Sequence, residues 1–138
     1  MRKILCIVII GSCLLGCTQT PDIPGFDEAA FRQDTGGCEG IRNEMKEQTF
    51  AIEDELKGLG QRQVMNVLGR PDKHELAPRG QKSFMYYIEP SSDCEQNHTT
   101  APLTMYVRFS ALDAVTEVSF ENYELSKHEV NKNNKCKS

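Results

Sequence analysis

The sequence predicts an α+β domain, with two helices packed on a three- or four-stranded antiparallel sheet. Two observations carry this expectation. Apolar residues recur at helical spacing between residues 38 and 68, and at alternate positions in segments between residues 82 and 121. Helices followed by an antiparallel meander stack as two layers, each burying its apolar face against the other. The chain has 138 residues, 38% hydrophobic and 26% charged, which is material for one domain. Its formal net charge of −4, without a basic run, argues against a nucleic-acid partner.

The N-terminus reads as an address. Arg2 and Lys3 precede an uncharged run from Ile4 to Leu15. That run is too short to cross a hydrocarbon core of about 30 Å as a helix. It fits the apolar region of a secretory signal. Leu14-Leu15-Gly16-Cys17 then resembles the bacterial lipobox. Small Gly16 admits the peptidase, and the Cys17 thiol accepts a diacylglyceryl group. Cleavage before Cys17 leaves 122 of the 138 residues and removes Arg2, Lys3, Cys6 and Cys13, so the side-chain charge becomes −6. Several acyl chains on Cys17 would anchor the protein stably to a lipid bilayer. Thr18 and Gln19 supply no acidic signal behind the cysteine. This favours the outer membrane and its periplasmic side, with the inner membrane and the cell surface as the other options.

Residues 17–37 read as a lipidated tether. Two prolines and three glycines interrupt any periodicity there, although Ala29-Ala30-Phe31 suits a short helical turn. The domain is expected to span residues 38–125 and a polar tail residues 126–138. Within the domain, Ile41, Met45, Ile52 and Leu56 fall on one face of a helix from Cys38 to Leu56. Glu39, Arg42, Glu44, Lys46, Glu47, Glu53, Asp54 and Lys57 take its wet side. Gly58 and Gly60 end it. A second helix fits Gln61 to Leu68, with Val64, Val67 and Leu68 inward. Pro71 stops it, because it disfavours a helical Arg70.

Strands follow. Lys73 to Ala77 is a short one. In Lys82 to Glu89, Phe84, Tyr86 and Ile88 alternate with Met85 and Tyr87. In Leu103 to Phe109, Leu103, Met105, Val107 and Phe109 share a face. In Ala114 to Glu121, Thr116, Val118 and Phe120 do so, after a hairpin turn at Ser110 to Asp113.

The run from Gly60 to Asp72 resembles the signature of the SmpA/OmlA lipoproteins, the BamE-like family of small outer-membrane lipoproteins. Gly60 is followed by Gln63-Val64 and by Leu68-Gly69-Arg70-Pro71, then by Met85-Tyr86-Tyr87, Val107-Arg108-Phe109 and Val115-Thr116-Glu117-Val118. The resemblance covers about residues 40 to 121 and is that of a distant member, with Cys38, Cys94 and the insert from Pro90 to Pro102 as departures. It implies a two-layer sandwich, also known from β-lactamase-inhibitor-like domains, and an envelope protein as partner. Gly60, Val64, Leu68, Gly69 and Pro71 read as structural, with Gly69 capping the second helix in the left-handed conformation.

No catalytic or metal constellation emerges. His74, His98 and His128 are far apart and lack ligand spacing. Asn97-His98-Thr99 reads as a loop, and Glu53-Asp54-Glu55 as a solvated helix face. Neither an enzyme activity nor a cofactor is expected. Tyr86, Tyr87 and Tyr106 are candidates for an exposed partner surface. The expected function is a non-catalytic protein-binding lipoprotein in outer-membrane assembly or maintenance. The alternative is an inhibitor-like or ligand-binding module acting on a secreted or envelope enzyme. Cys38, Cys94 and Cys136 stay in an oxidising compartment and allow three pairings. Cys38–Cys94 is favoured because both flank ordered elements, while Cys94–Cys136 would tie down the tail.

Overall fold

The computed structural model describes residues 21–96 and 99–122. In chain order they form α1 (Glu28–Gln33), a 3₁₀ turn (Thr35–Gly37), α2 (Ile41–Glu44), α3 (Lys46–Ala51), α4 (Glu53–Leu56), α5 (Gln61–Leu68), β1 (Lys73–Leu76), a second 3₁₀ turn (Pro78–Gly80), β2 (Lys82–Tyr87), β3 (Leu103–Phe109) and β4 (Val115–Asn122). The strands make one antiparallel sheet in the order β1-β2-β3-β4, and the helices pack on one of its faces. This is the expected α+β architecture, with four strands.

Register decides which side chains share that face. Phe84 lies opposite Val107, which lies opposite Val118, and Tyr86, Met105 and Phe120 form the next row. Directly opposed residues point the same way, so both rows turn towards Leu56, Val64, Val67 and Leu68 in one core. Phe84 and Phe109 meet edge-on at 4.7 Å between ring centroids. The expected face of β4 needs a correction. Arg108 opposes Glu117 but Phe109 opposes Val115, which leaves Thr116 as an extra residue in a bulge. Val115 is therefore buried and Thr116 exposed.

The first long helix is broken into three. Met45 and Ile52 have ψ of 8° and 3° and separate α2, α3 and α4. The path continues through hydrogen bonds from Thr49 N to Met45 O (2.9 Å) and from Leu56 N to Ile52 O (3.1 Å). Thr49 supplies a physical reason for the first break, since its buried hydroxyl also donates to the Met45 carbonyl at 3.0 Å. Such back-bonding competes with the helical ladder and bends it. Cys38 does not open this helix. It follows the first 3₁₀ turn, and Ile41 begins the helix behind Gly40.

The larger correction concerns the expected tether and the start of the domain at residue 38. Ile23, Phe26 and Phe31 are buried in the core, so the folded domain begins by residue 23. Asp27 caps α1, accepting the Ala30 N–H at 3.0 Å. The Phe31 ring lies 5.4 Å from Phe26 and 6.1 Å from Tyr86. Arg32 donates to the carbonyl of Asn66 in α5. These apolar residues carry no helical or strand period, yet they join the one core, Phe26 and Phe31 packing together and Phe31 on Tyr86. The cleavage region, Cys17, His98, Cys136, His128 and the tail lie outside the described residues.

Candidate functional site

The most constrained part of the domain is the corner where the first 3₁₀ turn, α2, the loop after α5 and the end of β2 meet. Arg42 sits at its centre with 1% of its side chain exposed, against 4% for Asp72. Arg42 Nη1 donates to Asp72 Oδ2 at 2.6 Å and to Tyr87 O at 3.1 Å, while Nε donates to Phe31 O at 3.0 Å. Its guanidinium stacks 4.5 Å above the Phe31 ring. Asp72 also accepts the Gly36 N–H at 2.8 Å and the Tyr87 N–H at 2.9 Å. Nearby Asp34, fully buried, accepts the amides of Glu39 and Arg42 at 2.8 and 2.9 Å. Three chain segments are thus tied to two carboxylates and one guanidinium.

Every buried polar side-chain atom of this arrangement has a partner. Among the described residues no buried side-chain nitrogen or oxygen lacks a hydrogen-bond partner. A buried charged pair hydrogen-bonded on both sides to the backbone holds chain segments in one geometry. The corner is read as architecture. Among the described residues no group of three or more His, Cys, Asp or Glu is placed to hold a metal ion.

Cys38 and Cys94 form a disulfide with Cα atoms 5.5 Å apart, joining the favoured pair. The bond ties the turn before α2 to the insert after β2, and Ser91 N adds a bond to Gly36 O at 3.2 Å. It closes a separation of 56 residues, worth about 4 kcal/mol in the chain-entropy model.

The motif residues fall where helix–turn–strand punctuation needs them. Val64 and Leu68 are buried, and Gln63 Oε1 accepts the Gly60 N–H at 3.0 Å. Gly69 differs from the expected left-handed cap. Its φ of 82° is positive but its ψ is −170°, a region open essentially to glycine alone. A Cβ there would also sit 2.9 Å from Arg32 Cγ.

The three tyrosines do not form one exposed surface. Tyr86 faces the helices, is fully buried, and donates its hydroxyl to Gly69 O at 3.0 Å. Burial raises its phenol above the ordinary tyrosine range; Arg42 lowers it and Asp72 raises it, each by less. Tyr87, on the opposite face, is 2% exposed. Only Tyr106 is half-buried. Alternation along β2 forbids a shared patch for neighbours in sequence.

Periodicity of apolar residues marks none of Arg42, Asp34 and Asp72, and it places Arg42 on the wet side of its helix, whereas the fold buries it. A signal existed. The inward row is Arg42, Met45, Thr49, Ile52 and Leu56, in steps of three and four. Reading only apolar residues left a gap of seven between Met45 and Ile52, which Thr49 fills.

Comparison of the chain with known protein families, curated proteins and solved structures gave no match.

Proposed function

We propose that this chain is a bacterial lipoprotein, anchored in the outer membrane through acylated Cys17 and facing the periplasm, where its domain binds another envelope protein without catalysing a reaction. The carrying observation is Leu14-Leu15-Gly16-Cys17 behind a short uncharged run and a basic pair. The Cys38–Cys94 bond supports it, since structural disulfides persist in oxidising compartments. The resemblance to the SmpA/OmlA lipoproteins supports a role in outer-membrane assembly or maintenance. Placing the domain start at Ile23 adds a geometric consequence. The six peptide steps from Cys17 to Ile23 reach at most about 20 Å, so the domain works close to the lipid headgroups. The test is Cys17→Ser. It is expected to leave an uncleaved precursor, or a protein that does not partition into detergent. A variant processed and retained like the wild type would overturn the anchor. Crosslinking of the native, lipidated protein in cells, followed by identification of the attached envelope protein, tests the binding role.

A further inference from the structure

We propose that the free edge of β1 is a docking site for an extended, acidic segment of a partner protein, which would add to the sheet as a fifth strand. This rests on the reading of the domain as a protein-binding module and names the surface it would use.

β1 ends the sheet, pairing with β2 alone among the described residues. Edge strands present a row of unpaired N–H and C=O groups and are usually shielded. Here His74, Glu75, Leu76 and Ala77 are all exposed. Ala77 donates to Gln81 O at 2.8 Å. By antiparallel alternation, the amides of Lys73, Glu75 and Ala77 then face β2, and those of His74 and Leu76 face outward.

Beside this edge runs an open groove of about 440 Å³ between α5 and β1. Met65, Pro71, Leu76 and Phe84 give it an apolar lining, and Arg70, Lys82 and one acid, Glu75, stand in its wall. Leu76 is 75% exposed. A single exposed leucine is ordinary, but this one stands on an open strand edge above a lined groove.

Charge selects the occupant. Arg62, Arg70, Lys73, Arg79 and Lys82 against Asp72 and Glu75 give residues 62–82 a net charge of +3, in a chain whose formal net charge is −4. Asp72 is already used by buried Arg42 and Lys73 pairs with Asp93 at 3.8 Å, so the charge offered to a partner rests on the four exposed cations. Arg62, Arg70, Arg79 and Lys82 are exposed. In an added strand, alternate residues point to opposite faces. The side chains on its groove-facing side would then meet both features, apolar ones over Met65 and Phe84 and acidic ones beside Arg70 and Lys82, on the face that Leu76 shares with Lys82. Main-chain bonds to His74 and Leu76 would supply affinity, as in other cases of strand addition. The chain's own residues 123–138 are a poor occupant, because Lys127, Lys132, Lys135 and Lys137 outnumber Glu124 and Glu129.

The test uses the full mature lipoprotein in detergent and a fluorescent extended peptide whose valines and glutamates fall on one strand face, with serine and threonine on the other, read by anisotropy. Saturable binding is expected, weakening as salt rises. His74→Pro removes an outward donor while leaving the bonds to β2, and should weaken binding at least tenfold. Arg70→Glu with Lys82→Glu leaves the strand backbone intact and should do the same. A valine–lysine peptide should not bind. Equal binding of both peptides, or unchanged affinity in both variants, overturns the proposal. So does a loss in the variants of binding to phosphatidylglycerol vesicles but not to the peptide, which would make the edge a lipid contact. Partner crosslinking that persists unchanged in His74→Pro would remove the edge and keep the binding module. Peptide binding at the edge with no envelope protein crosslinked would do the reverse.

Discussion

Asp72 and Lys73 are neighbours in sequence and belong to opposite kinds of surface. Asp72 turns into the corner, where its carboxylate meets Arg42 and two backbone amides. Lys73 starts a strand whose next residues are exposed. In the corner the buried polar groups are matched inside the fold; beyond Lys73, which pairs with Asp93, an open strand edge faces solvent. The difference teaches where this small domain holds its geometry and where it has recognition chemistry left over. A corner whose buried polar atoms all have partners gives rigidity, and an edge strand with outward amides can accept another strand.

Removing one member of the buried pair should break the comparison most severely. Arg42→Ala leaves Asp72 charged without its partner, and the expected loss is about 3–5 kcal/mol in urea unfolding. Asp72→Asn should also destabilise. The double variant should lose less than the sum, which a double-mutant cycle measures. If Arg42→Ala unfolds at the wild-type midpoint, the corner is not what holds these segments.

Phe31→Ala asks whether the corner extends to the N-terminal segment. Phe31 is fully buried against Phe26, Tyr86 and the Arg42 guanidinium. Truncating a buried Phe costs about 3–5 kcal/mol. A loss below 1 kcal/mol would return residues 21–37 to the status of a linker.

Tyr86 gives the corner a pH signature. Burial raises its folded-state phenol above the unfolded value near 10. The folded state therefore keeps the proton that the unfolded chain releases. The stabilising contribution is complete below about pH 10 and is lost as pH climbs above it. Urea midpoints should fall more steeply above pH 10 in the wild type than in Tyr86→Phe. At neutral pH that variant should lose about 1 kcal/mol with its bond to Gly69 O. Parallel alkaline slopes would contradict the assignment.

The smallest expected effect sharpens the other side. Leu76→Ser, on the exposed strand, should change stability by no more than about 0.5 kcal/mol, while weakening peptide binding at the edge. A large loss of stability would show that β1 is part of the core and not a spare edge.

Much of this was legible in the chain, because local rules decide it. Helical and alternating periods place α5, β2 and β3 closely, since each element buries one face and the pattern records that face. The turn at Leu68-Gly69-Arg70-Pro71 is legible from the backbone limits of glycine and proline alone. What tertiary structure decided has a different character. The bulge at Thr116 depends on how β4 meets β3. The burial of Ile23, Phe26 and Phe31 depends on core partners distant in sequence, Tyr86 of β2 and Arg42 among those of Phe31. The corner joins Asp34, Arg42 and Asp72 across up to 38 residues of chain, and no periodicity connects them. A charged side chain earns burial only when its partners arrive from elsewhere in the fold. By itself the sequence determined which faces are apolar and where the chain must turn; only the folded structure decided which charges could leave water and which stayed at the open edge.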